Sequence, residues 1–362
     1  MPELLITADD RTGALETGGA CADLGFQVRL TTTPDARDDC AVVDLDSRHC
    51  EAQEAARRIG EAHRLDARFR CHKMDSGLRG NWAHEVASLI VLGRRVGILA
   101  SFPDAGRRCD DGTVYIRDVP VAESPFGRDP RNRLVSSRPV DSLCSAGCED
   151  ALADGRLVVL DANDNGELHA AAARCREEDR MLVGTTGGVG AYVATLRAGH
   201  RTDLAPLPRP ALIVCGSLHP LSRSQISRLE CLTVGPDDGP TKAVAALRRG
   251  EDVVLATELT SATITDAAAE SMASAVAATS WAWIAASGTP ALIIVGGDTA
   301  AAILGSRTLH VLGSADTAVP LCQTQDRRLT VVTKGGGIGE EDSLARLLHR
   351  GRRGIRQGRQ GT

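Results

Sequence analysis

Short apolar runs alternate with amphipathic stretches along nearly all of this 362-residue chain, and that alternation most narrows its fold. Gln27 to Leu30, Ala41 to Leu45, Val96 to Ala100, Leu157 to Leu160 and Met181 to Val183 are β-rich. Between them, Cys50 to Arg64 and Trp82 to Leu92 repeat their apolar residues at helical spacing. The pattern predicts an α/β fold on a mostly parallel, helix-covered, Rossmann-like sheet. It breaks at Ala205-Pro206-Leu207-Pro208-Arg209-Pro210, which can continue neither a helix nor a central strand. A second alternation follows through Ala211 to Val214, Val253 to Leu255, an Ala-rich helix near Ala267 to Ser280, Ala291 to Val295 and Leu329 to Val332. Two domains with a cleft between them are therefore expected, 1–205 and 206–349. The Arg- and Gly-rich tail, 350–362, lacks apolar periodicity and reads as disordered.

Composition closes off several functions. Aromatic residues make up only 2% of the chain, so few stacking platforms exist for single-stranded nucleic acid, and the net charge of -5 suits no phosphate backbone. The 11 cysteines are scattered singly, without zinc-binding pairs or a disulfide framework. Nothing near Met1 resembles a secretory signal, and no apolar run approaches a membrane span. A cytoplasmic protein without nucleic-acid or membrane partners is expected, with a homodimer left open.

Candidate chemistry sits at the ends of apolar runs, where open α/β sheets bind ligands. Leu4-Leu5-Ile6 leads into Thr7-Ala8-Asp9-Asp10-Arg11-Thr12-Gly13, placing two adjacent carboxylates where the first strand meets the first helix. Asp10 or Thr12 could simply cap that helix. Alternatively the pair faces a cation or a substrate hydroxyl. His72 to Asn81 packs Lys73, Asp75, Ser76, Arg79 and Asn81 into one turn, and Phe126 to Pro130 adds Arg128 and Asp129. Such residues can clamp a carboxylate and read hydroxyls. The second half repeats another design, an apolar strand running into Gly and small hydroxyl residues: Gly216-Ser217, Gly296-Gly297-Asp298-Thr299 and Gly335-Gly336-Gly337-Ile338-Gly339. Glycines there let backbone N–H groups approach phosphate. None of these is a Walker P-loop, and Gly184 to Gly190 has the wrong spacing for a dinucleotide fingerprint and reads as a structural turn.

Taken in order, Ala8 to Ala14, Asp44 to His49, Lys73 to Asn81, Ser101 to Arg107, Phe126 to Pro130, Gly216-Ser217 with Gln225, Gly296 to Ala300 and Lys334 to Gly339 resemble the four-carbon acid sugar kinase family. The resemblance implies a first domain that holds a sugar acid and a second that holds ATP, with Mg²⁺. It places Asp9 and Asp10 at the catalytic position, with Arg11, Lys73, Asp75, Ser76, Arg79, Asn81, Arg128 and Asp129 on the substrate side. Ser217, Gly296, Gly297, Asp298, Thr299, Gly335, Gly336 and Gly339 fall on the nucleotide side. Departures from the family pattern fall on both sides. Arg11 replaces a Leu and would add a cation beside Asp9 and Asp10. Gly77 replaces a Thr and would enlarge the pocket, so a substrate larger or more anionic than a simple tetronate is expected. Gly335 replaces a Ser. Two other classes stay open, a binding or regulatory protein on the same fold and an NAD-dependent oxidoreductase.

Overall fold

The structure, a computed structural model, describes residues 1–33, 38–128, 134, 136–197, 199, 204–236, 238–257 and 266–349. The chain divides into two compact units, Met1–Thr202 and Asp203–Thr362.

The first unit contains, in chain order, β1 (Leu4–Ala8), α1 (Arg11–Asp23), β2 (Val28–Thr31), β3 (Cys40–Asp44), α2 (Ala52–Ala62), β4 (Phe69–Lys73), α3 (Trp82–Val91), β5 (Val96–Leu99), β6 (Arg107–Asp110), β7 (Thr113–Ile116), β8 (Val119–Pro120), α4 (Pro139–Ser145), α5 (Glu149–Ala153), β9 (Leu157–Val159), α6 (Asn165–Glu177), β10 (Met181–Gly184) and α7 (Thr186–Ala194). Its main sheet runs β2-β3-β1-β4-β10-β5-β9, with every neighbouring pair parallel. β1 is buried along its whole length, as a central strand covered on both faces must be. From β1 the chain builds outward to β3 on one side and to β4 on the other. Strand order therefore reverses at β1, the place where such sheets open a crevice at their carboxyl ends.

The second unit contains β11 (Ala211–Cys215), α8 (Pro220–Ser227), β12 (Leu232–Val234), α9 (Pro240–Arg248), β13 (Val253–Ala256), α10 (Asp266–Ser287), β14 (Ala291–Val295), α11 (Gly297–Leu304), β15 (Leu309–Asp316), β16 (Val319–Thr324) and β17 (Thr330–Lys334). Its strands run β12-β13-β11-β14-β17-β16-β15, parallel as far as β17 and antiparallel from β17 through β16 to β15. Order reverses between β11 and β14, which places a second crevice at the carboxyl ends of these two strands.

The parallel, helix-covered architecture is the one the alternation predicts. Two regions fall outside that pattern. β15 alternates buried and part-exposed residues, the mark of an antiparallel strand with one open face, so a search for unbroken apolar runs passes over it. β6, β7 and β8 form a small antiparallel sheet within a stretch too polar to advertise strands. The tail proposed as disordered lies outside the described residues.

Candidate active site

Three strand ends meet in the first unit. Backbone bonds lock them together: Asp9 N–H donates to the Lys73 carbonyl, and the Asp9 carbonyl accepts from Ser47 and Arg48 N–H at 2.9 and 3.2 Å. This brings Arg48 beside the acid pair. Its guanidinium donates to both oxygens of Asp9 at 2.8 and 3.1 Å, and lies 2.8 Å from Asp10 Oδ2 and 3.2 Å from Asp75 Oδ1. One cation thus ties three carboxylates, the compensation that adjacent acids require. Burial opposes the charge on Arg48, but Asp10, Asp9 and Asp75 outweigh it and hold the guanidinium protonated.

The two adjacent acids differ in environment. Asp9 is buried, and burial pushes its carboxyl up to about 6 against the pull of Arg48. Asp10 is the N-cap of α1, its Oδ1 accepting from Gly13 N–H at 2.9 Å, and its side chain stays 24% exposed. It caps the helix and faces the crevice as well. Gly13 is needed here, because a Cβ would stand 2.7 Å from Asp10 Oδ1 and 2.9 Å from Lys73 Nζ. Lys73 itself is buried and donates to the Met74 carbonyl at 2.7 Å.

Asp75 shapes the next turn. It accepts from Gly77 N–H, from Arg79 N–H and from the Arg79 guanidinium at 2.9 and 3.0 Å. Burial alone would raise its pKa, yet Arg48 and Arg79 hold it far below the usual carboxylate range. The wrap forces Leu78 into a left-handed conformation, φ 60°, where a branched side chain is rare. Ser76 is half-buried in the same turn.

Several sequence expectations need correction. Gly77 does not open a pocket, because Phe126 fills the space: a Cβ would stand 2.8 Å from its ring. The cation on Asp9 and Asp10 is Arg48. Arg11 is buried with its guanidinium 3.8 Å from Asp44, which burial pushes up to about 6 against the pull of Arg11. Asn81 spends its amide N–H groups on the Ser47 and Cys50 carbonyls at 2.8 and 2.7 Å, bracing the loop that carries Arg48. Arg128 is exposed and donates to the Glu123 carbonyl at 3.4 Å, while Asp129 lies outside the described residues. The turn from Gly184 agrees with its reading as a structural one: it starts α7, Thr185 Oγ1 accepts from Gly188 N–H, and a Cβ at Gly188 would stand 2.6 Å from the Leu99 carbonyl.

Behind these groups runs a buried polar chain. Thr7 Oγ1 shares hydrogen bonds with His63 Nε2 at 2.8 Å and His72 Nδ1 at 2.9 Å; His72 Nε2 lies 3.0 Å from Glu85, and Ser47 donates to Glu85. It couples the residues preceding Arg48 and Lys73. Ser47, Arg48, His72 and Arg107 fall within segments that the sequence analysis singles out, but neither they nor Thr7, Glu16, His63 and Glu85 carry a site role there. The signal for Arg48 was available, since Ser47-Arg48 follows an apolar run as Asp9-Asp10 does.

In the second unit the turns after β11, β14 and β17 converge. A Cβ at Gly336 would collide with Ser217 Oγ, one at Gly216 with Thr299 Oγ1, and one at Gly296 would stand 3.2 Å from Thr299 Oγ1. Ser222 Oγ donates to the Gly336 carbonyl at 2.7 Å and lies 3.1 Å from Ser217 Oγ, and Gln225 Nε2 donates to the Ile338 and Glu340 carbonyls. Gly296, φ 117°, is the N-cap of α11 and provides no side-chain cap, which leaves the first N–H groups of that helix, from Gly297 onward, open to an anion. Asp298 is exposed in that first turn, and Thr299 is buried. Gly335 packs on Ile338, and Gly339, φ 81°, on Ser343, so these two shape the loop at its far end. Lys334 is buried at the end of β17, and desolvation pushes its ammonium down to about 8.

Residues 4–144 match the family profile described as a sugar-binding N-terminal domain, and residues 212–344 match the one described as a nucleotide-binding C-terminal domain. The D-threonate kinase of Cupriavidus necator is 30% identical over 94% of this chain and 96% of its own length. The D-threonate kinase of Salmonella typhimurium is 25% identical over 96% and 98%. The crystal structure of the Haemophilus influenzae protein HI1011 has the same fold, with a TM-score of 0.69 at 18% identity over 96% of this chain and 99% of that one.

Proposed function

Since this chain belongs to the four-carbon acid sugar kinase family, we propose that it is an ATP-dependent kinase of a four-carbon sugar acid, with Asp10 at the acceptor hydroxyl and the Gly turns of the second unit on the phosphates. The observation that carries this division of labour is the contrast between the two crevices. One gathers carboxylates and cations suited to hydroxyl and carboxylate groups, and the other gathers glycines, hydroxyls and an uncapped helix start suited to phosphate.

Phosphoryl transfer asks a protein mainly for positioning and charge neutralisation, plus a group that accepts the hydroxyl proton. Asp10 suits that role, because its carboxylate is the exposed member of the pair and Arg48 fixes its direction at 2.8 Å. Asp9 is spent on the other edge of Arg48 and acts as a positioning residue. Ser217, Thr299 and the backbone N–H groups from Gly297 onward would hold the nucleotide phosphates, which supply the transferred group. Lys334, the last residue of β17, donates to the Gly335 carbonyl at 2.9 Å and puts a cation in the Gly335–Gly339 turn. Among the described residues no cluster of three or more potential ligands is suited to hold a metal ion. Mg²⁺ binds through one or two carboxylates together with substrate phosphates, and the exposed Asp298 offers one such carboxylate.

With Phe126 filling the space over Gly77 and Arg11 standing by Asp44, neither departure argues for an acid larger than a tetronate. Incubation with ATP, Mg²⁺ and a panel of four-carbon sugar acids is expected to release ADP only when an acid is present. Asp10→Asn should then lower kcat on the order of 10²- to 10⁴-fold while ATP still binds. Unchanged turnover removes Asp10 from the role, and ATP binding with no acid-dependent ADP release favours a binding protein.

A further inference from the structure

The cations of the first unit are unequally engaged. Arg48 is shared by three carboxylates, and Arg79 is held by Asp75 through two nitrogens. Arg107, the first residue of β6, gives one terminal nitrogen to the Ala105 carbonyl at 2.9 Å, and its buried Nε meets no acceptor among the described residues. The Arg107 guanidinium lies over Phe126 at 5.7 Å, on the ring that also carries Arg79 at 5.0 Å. A two-way backbone bridge between Phe102 and Arg107, at 2.8 and 3.0 Å, fixes the start of β6. The Phe102 ring packs in turn against Gly187 in the first turn of α7.

Glu16 of α1 stands where these elements meet. Its Oε2 accepts from Thr186 Oγ1 of α7 at 3.4 Å. Lys73 from β4, Asp10 from the β1–α1 turn, Arg107 from β6 and Arg48 from the loop after β3 all act on its charge. Among the described residues it forms no ion pair. A guanidinium with an unpaired buried Nε thus lies within electrostatic reach of a carboxyl that forms no ion pair among the described residues. That is the complement of a ligand carrying a carboxylate beside a hydroxyl.

We propose that Arg107 and Glu16 form the subsite for the carboxylate end of the sugar acid, Arg107 as its cation and Glu16 as the group that takes up a proton when the second negative charge arrives. The proposal rests on the sugar-acid reading above. Burial already pushes Glu16 up to about 7, so a carboxylate placed beside it draws a proton from solvent onto Glu16 near neutral pH.

Calorimetric titration of the full chain at pH 7.5 with D-threonate, D-erythronate and L-threonate, in buffers of different ionisation heat, tests this. Wild type is expected to take up protons as the tightest acid binds. Arg107→Gln should weaken that acid on the order of 10- to 100-fold with ATP affinity unchanged, and Arg107→Lys should recover part of the loss. Glu16→Gln should still bind the acid, with a heat that no longer depends on the buffer. Wild-type acid affinity in Arg107→Gln, or wild-type proton uptake in Glu16→Gln, overturns the subsite alone. A wild-type chain that binds none of the acids overturns the sugar-acid reading and the subsite together.

Discussion

Gly77 and Arg48 show how far a residue's meaning depends on its neighbours. Read along the chain, Gly77 is a missing side chain and therefore a larger pocket; in the fold, the absent atoms make room for Phe126, whose ring carries Arg79 and Arg107. Gly77→Thr should therefore overpack the turn and destabilise the protein by about 1–3 kcal/mol. Phe126→Leu in the same chain should relieve most of that cost, and denaturant unfolding of the two single variants and the double variant measures the coupling. Additive effects would mean that the ring and the turn are independent. Arg48 is the converse case, a residue of ordinary appearance whose weight comes from three carboxylates that the fold brings to it from separate turns.

At the scale of elements, the recurring device is a buried parallel strand that ends in a turn of small or acidic residues. The chemistry of each turn follows from how its helix is capped. α1 has its Gly13 N–H taken by the Asp10 carboxylate, whose charge also repels phosphate, whereas α11 starts at a glycine with no side-chain cap. The packing of the three turns is close enough that Gly336→Ala sets a methyl against Ser217 Oγ. That variant should bind ATP more weakly with its affinity for the acid unchanged, and adding Ser217→Ala should leave nucleotide binding weak while restoring thermal stability. Unaltered ATP affinity in Gly336→Ala would separate this turn from the nucleotide.

At the scale of the whole molecule, the chain is two compact units, each with one reversal of strand order and one crevice at that reversal. If each unit holds its own ligand, ATP and sugar acid should stabilise different parts of the chain. Thermal unfolding is then expected to show ATP raising one transition and the acid another, each by about 2.7 kcal/mol at a hundred times its Kd. A single transition shifted equally by both would argue that the units unfold as one. The α/β class and the strand-end turns where the candidate residues cluster were legible in the sequence, because apolar runs and glycine turns are local patterns set by burial and backbone sterics. Which acid reaches the crevice, which arginine compensates it and which ring fills the space over Gly77 were not. Those depend on contacts such as Arg48 with Asp9, 39 positions apart, and charge and volume are balanced only where the folded chain brings such residues together.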